Sequence, residues 1–209
     1  MRHRSLAIAA LLVLASAAPL AAQIQPWQNQ WYWGAKGGLL SYSLPSGKVN
    51  QPQVGAEWMI TAKRTALYAA YSTTLKQSGD TFTLSSGATV PAVYDAVQRI
   101  QIAILVLPWG GNIQPYVGGG FVIETLSNIT CSTCSNLQTD TVQAHGSGGF
   151  ALAMVGLQVR VGKLAVFGQA QFSPQGRDFW LMNGSSSFEA GVRYAFLGSR
   201  ESGDLSTER

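Results

Sequence analysis

Charge is scarce in this chain. Asp, Glu, Lys and Arg make up 11% of its 209 residues, against roughly 25% in ordinary soluble domains. So few charges cannot readily cover a surface that meets water on every side. Cysteine and histidine are scarcer still, two of each, which leaves little material for a metal centre. The formal charge of +4 lies too close to neutrality to point to nucleic acid. Beyond the first two dozen residues no apolar run approaches the roughly 20 residues of a membrane-spanning helix. Glycine and aromatics are plentiful instead, with 23 glycines and 10% Phe, Trp and Tyr.

The opening residues have the pattern of an export signal. Arg2, His3 and Arg4 form a basic start, Leu6 to Ala18 is an uncharged apolar run, and Ala21-Ala22 precede Gln23. That order predicts a signal peptide, residues 1–22, cleaved after Ala22. Without a cysteine near the cut it is not a lipoprotein signal. About 187 residues remain (209 minus 22), enough for one domain. The charge falls from +4 to +2 with the loss of Arg2 and Arg4.

The remaining chain alternates between apolar and polar residues at period two. Phe188, Ala190, Val192, Tyr194 and Phe196 share one side of the last segment, and Glu189, Gly191 and Arg193 the other. Such alternation predicts a strand with one apolar and one polar face. The same pattern predicts seven earlier strands. They run from about Gln30 to Tyr42, Gln53 to Ala62, Thr65 to Lys76, Asp95 to Leu107, Ile113 to Thr125, Ser147 to Arg160, and onward from Leu164.

The links alternate in length. Short turns follow strands two, four and six. Longer polar stretches follow three, five and seven, including Gln77 to about Tyr94 and Leu126 to about Ala144, and the link after strand one is intermediate. The expected fold is all-β, an eight-stranded antiparallel up-and-down transmembrane barrel over residues 30–196. A short N-terminal lead (23–29) and a polar tail (197–209) flank it, with both termini on the periplasmic side. The apolar faces should look outward, toward lipid. A secreted soluble barrel would reverse them, and roughly one charge per strand is too few for its exterior. Closure matters because an open edge in hydrocarbon leaves backbone groups unpaired, at several kcal/mol each. At eight strands side chains can fill the interior, so no wide channel is expected.

Two segments carry a family resemblance. Gly111-Asn112-Ile113-Gln114-Pro115-Tyr116-Val117-Gly118-Gly119-Gly120 resembles the fifth-strand entry of OmpA/OmpX-like small barrels. Glu189, Gly191, Tyr194 and Phe196 resemble their C-terminal assembly signal, a polar residue, a glycine and two aromatics ending in Phe. The resemblance implies a bacterial outer-membrane protein that meets outer-membrane lipid, lipopolysaccharide and the barrel assembly machinery. Thirteen residues follow Phe196, where many members end, and no peptidoglycan-binding domain follows as in full-length OmpA.

With the apolar faces outward, Lys36, Glu57, Arg99, Glu124, Arg160, Glu189 and Arg193 look inward as a lumen charge cluster. Counting from the turns places Lys36 between Glu57 and Glu189, and Arg99 beside Glu124. Unpaired buried charges cost several kcal/mol, so these should pair; a salt-bridged plug or a narrow gated ion path both fit. Cys131 and Cys134, in an exported chain without another cysteine, suit a local disulfide rather than a metal or redox site.

His145-Gly146-Ser147 invites comparison with the lipid A deacylases, but no acidic residue occurs between Ser147 and Asp178 to orient a base. Trp31, Trp33, Trp109, Tyr194 and Phe196 toward one end, and Tyr71, Phe121, Phe172 and Phe188 toward the other, suit interfacial girdles. The expected role is non-enzymatic, without cofactor or metal: structural, or interactive through extracellular loops. A small pore or carrier for ions or apolar solutes, as in OmpW-like barrels, is the alternative.

Overall fold

Period-two alternation becomes ten strands in the computed structural model, which describes residues 29–83, 87, 89–109, 111–131, 134, 140, 144–174 and 182–198. The strands are β1 (Gln30–Leu44), β2 (Gly47–Thr61), β3 (Thr65–Thr74), β4 (Ser78–Thr83), β5 (Thr89–Tyr94), β6 (Ala96–Val106), β7 (Ile113–Ser127), β8 (Ser147–Val161), β9 (Leu164–Ser173) and β10 (Met182–Gly198). Eight of them close a barrel in the order β1-β10-β9-β8-β7-β6-β3-β2, every neighbouring pair antiparallel. The seam joins the first and last strands, from Gln30↔Gly198 to Ser43↔Met182. The predicted signal segment, most of the tail and part of the seventh link lie outside the described residues.

The sides of the wall differ as the alternation predicts. Ile100, Ile102 and Ile104 of β6, Val155 and Leu157 of β8, and Phe188 and Val192 of β10 are exposed on the outer face. Inward positions are buried almost without exception along β6 and β9. The links at one end are tight. Ala62 donates to the Thr65 carbonyl across Lys63-Arg64. Gly162 turns β8 into β9 at φ +63°, in the left-handed region that glycine enters without strain.

Two expectations about the other end need correction. The link after β1 is not intermediate: β1 and β2 stay paired up to Leu44↔Gly47, so the hairpin, with the start of β10 beside it, rises beyond the β2–β3 ladder. Pro52 lies within this extension, just before the Gln53 at which the sequence reading began the strand. It sits where the β2–β3 ladder ends, so its missing N–H removes no interior bond. The polar stretch after β3 is not all loop either. It folds into the β4–β5 hairpin, paired from Ser78↔Tyr94 to Thr83↔Thr89. Val90, Ala92 and Tyr94 alternate as buried residues there, around an exposed Pro91.

Candidate functional site

The barrel interior is organised around glycines that make room for long side chains. Gly34 of β1 is in register with Glu57 on β2 and Arg193 on β10. A Cβ on Gly34 would lie 2.9 Å from Glu57 Cγ and Oε1, so its absence lets those two side chains meet. Arg193 Nε donates to Glu57 Oε1, and its Nη1 to Gln158 Oε1 at 2.6 Å. The guanidinium stacks 3.8 Å from the centroid of Phe167. That ring needs Gly191, where a Cβ would stand 2.8 Å from Phe167 Cζ. Gly191, read in the sequence as part of an assembly signal, thus also has a packing reason.

A second pair sits one step along β1. Lys36 Nζ donates to Glu189 Oε2 at 2.8 Å, Gln101 Oε1 at 2.9 Å and the Tyr68 hydroxyl at 3.0 Å. Glu189 also accepts from Gln53 at 2.9 Å, Gln169 at 2.7 Å and Gln171 at 3.0 Å. The expected position of Lys36 between Glu57 and Glu189 therefore requires correction. Glu57 takes Arg193 as its cation, and the Tyr68 hydroxyl stands between, donating to Glu57 Oε2 at 3.1 Å. The third pair is Arg99 Nε to Glu124 Oε1 at 2.9 Å, with Ser187 and Ser185 completing it at 3.2 and 2.8 Å. Arg160 lies at the short-turn end, where its Nε donates to the Gly162 carbonyl at 2.7 Å.

Through Tyr68 and the amides Gln101, Gln158, Gln169 and Gln171, which the sequence reading did not include in the charge cluster, these pairs bind all eight barrel strands across the lumen. Each ion is almost fully buried, with side chains at most 1% exposed. Desolvation then offsets much of the Coulombic gain. The least satisfied layer surrounds Arg99. Among the described residues, Gln51 Oε1, Gln53 Oε1, Ser72 Oγ, Arg99 Nη2 and Ser173 Oγ are buried without a hydrogen-bond partner.

Above that layer the mouth is apolar. Leu40, Tyr42 and Leu44 of β1, Val90, Ala92 and Tyr94 of β5, Val97 of β6 and Leu126 of β7 form one cluster. Val49, Ile129, Cys131, Cys134 and Phe150 pack against it. The Tyr94 hydroxyl donates to that of Tyr42 at 2.8 Å. Burial, then the Tyr42 contact, pushes the Tyr94 hydroxyl far above the usual phenol range, so it stays neutral. A disulfide joins Cys131 to Cys134, and Val93 and Thr130 exchange backbone hydrogen bonds at 2.9 and 2.8 Å. The β4–β5 hairpin is thus fastened over the opening from two sides. Asp80 Oδ2 adds a third tie by accepting from the Ser46 N–H at 2.7 Å.

Ser147 Oγ is 3.2 Å from Thr125 Oγ1, and His145 lies in the preceding turn. Outside the wall, Trp31 contacts Trp58 edge-on at 5.5 Å and Phe196 at 6.3 Å, an aromatic clasp across the β1–β10 seam. Tyr71, Phe121, Phe172 and Phe188 are also exposed on the outer face.

Comparison with protein-family models and with curated proteins gives no match. Among solved structures the barrel is similar to Neisserial surface protein A, at 11% identity over 79% of this chain and 97% of that one, with a TM-score of 0.56. Ail, the attachment invasion locus protein of Yersinia pestis, matches at 9% identity over 81% of this chain and 99% of its own, TM-score 0.52. The fold is that of a small outer-membrane β-barrel. Outer membrane protein OprG of Pseudomonas aeruginosa shares it, at 12% identity over 81% of this chain and 97% of that one, TM-score 0.51. At such identities the likeness is one of architecture.

Proposed function

We propose that this chain is a non-enzymatic β-barrel of the bacterial outer membrane, exported through a cleaved signal, whose working surface is the long-loop end. The observation that carries this reading is the closed mouth. An apolar cluster seals the end from which the β1–β2 and β4–β5 hairpins rise, above a lumen filled by three buried ion pairs. A barrel closed twice over suits a rigid platform better than a conduit. Its outer wall suits lipid, since the exposed positions of β6 are Ile100, Ile102, Ile104 and Val106. With the short turns facing the periplasm, as in bacterial barrels, both hairpins stand outside the cell, among lipopolysaccharide and whatever the surface meets. One structural neighbour is named a surface protein and another an attachment invasion locus protein, which supports that reading.

Two measurements test the reading. The folded protein should extract from outer-membrane fractions with detergent and shift its gel mobility on heating. An epitope inserted at Gly87, between the cap strands, should bind antibody on intact cells. A soluble periplasmic protein without a heat shift would refute the membrane assignment, and an epitope reached only after permeabilisation would invert the orientation.

A further inference from the structure

The short-turn end carries charge of one sign. Lys63 and Arg64 occupy the β2–β3 turn and Lys163 the β8–β9 turn, all three exposed. These turns stand on opposite sides of the closed barrel, with two strands between them in either direction, β6 and β7 one way and β1 and β10 the other. Among the described residues, every acid outside the lumen lies at the other end: Asp80, Asp95 and Asp140. The lead 23–29 has no charge, and the tail sets two arginines against three acids, too little to cancel the turns.

Indoles mark where this end sits. Trp31 and Trp33 of β1 are 40% and 56% exposed on the outer surface, and indole rings settle at the headgroup boundary of a bilayer. Trp31 is in register with Ile60 near the end of β2, so Lys63 lies beyond the indoles, in the turn that leaves the wall. The backbone holds the basic residues there: the Leu107 N–H donates to the Arg64 carbonyl at 2.9 Å and the Ala195 N–H to the Lys163 carbonyl at 2.8 Å.

We infer that Lys63, Arg64 and Lys163 form a basic rim that gathers anionic phospholipid headgroups around the short-turn end, beneath a tryptophan collar that sets its depth. The inference rests on the membrane reading above. Attraction of a basic side chain to an anionic lipid surface enriches such lipids about two- to fivefold around each contact.

The test uses the full folded protein in vesicles of phosphatidylcholine with a minority of phosphatidylglycerol, the acyl chains of one or the other lipid brominated near the headgroup. Bromine on phosphatidylglycerol should quench tryptophan fluorescence more than its share of the lipid accounts for, and high salt should weaken the excess. The triple variant Lys63→Gln/Arg64→Gln/Lys163→Gln should insert equally well and lose the excess. Quenching in proportion to lipid composition in the parent would overturn the inference while leaving the membrane reading intact. An excess that survives in the variant would overturn the assignment to these three residues. Should the parent show no lipid preference yet sediment with peptidoglycan in a way the variant does not, the rim serves a polymer and the lipid assignment falls. Failure of the parent to insert at all would instead sink the membrane reading, and the inference with it.

Discussion

Lys36→Met probes the interior most sharply. The substitution keeps much of the aliphatic stem and removes the ammonium that bonds Glu189, Gln101 and Tyr68. Glu189 then remains in a fully buried site with three glutamine amides and no cation. Removing one partner of such a pair costs about 3–5 kcal/mol, mostly because the other charge stays buried. The second substitution to combine with it is Glu189→Gln, which removes the stranded charge. Lys36→Met/Glu189→Gln should recover most of the loss, with a coupling of about 2–3 kcal/mol in a double-mutant cycle. Glu57→Gln should not rescue Lys36→Met, because Glu57 is neutralised by Arg193, and the combination should be worse than either change alone. Unfolding midpoints in vesicles, followed by tryptophan fluorescence and the heat-dependent gel shift, give the energies. Single variants within about 0.5 kcal/mol of the parent, the ordinary range for surface changes, would refute the pairing.

Ile102→Arg, on the outer face, should destabilise the inserted barrel by about 2–4 kcal/mol if that residue meets the bilayer midplane; a loss confined to detergent-free vesicles is the signature to look for. Gln101→Arg, on the inner face, should also destabilise, because Gln101 is fully buried and bonded to Lys36 and Gln171 and the change adds volume there. Tyr94→Ala should free the cap, at about the 3–5 kcal/mol of a large aromatic truncation, and admit protease between β4 and β5 while the barrel still shifts on heating. Tyr94→Phe should cost only about 1 kcal/mol. The Asp80 tie should depend on pH. Burial alone would raise that carboxyl, but hydrogen bonds from Ser46 and the Thr81 N–H outweigh it and hold the group below its ordinary 3.8. A depressed carboxyl contributes stability above its unfolded value and loses it as pH falls through the folded one. The Ser46 amide resonance should therefore titrate with a midpoint below the ordinary carboxylate value, and a midpoint at or above it would refute the tie.

The wall was legible because lipid and packed lumen impose opposite demands on alternate residues, as β6 shows with Ile100, Ile102 and Ile104 against Arg99 and Gln101. Arg99 beside Glu124 followed from register alone, since the turn between β6 and β7 sets Arg99↔Glu124. Pairing across the lumen did not follow. Whether Lys36 reaches Glu57 depends on where the Tyr68 hydroxyl and the Arg193 guanidinium project, which neighbouring-strand counting cannot give. The cap was hidden by composition: Ser, Thr, Gly and Asp between Gln77 and Tyr94 read as a polar link. The buried trio Val90, Ala92 and Tyr94 was the available signal.

Planar-bilayer recording tests the closed platform most directly. Protein that has first shown the heat shift in vesicles is fused with the bilayer and held under voltage. The sealed mouth and the three ion pairs predict a baseline without discrete steps. Reproducible unitary conductance from the parent, abolished by heating the sample before reconstitution, would contradict them and make the lumen a path.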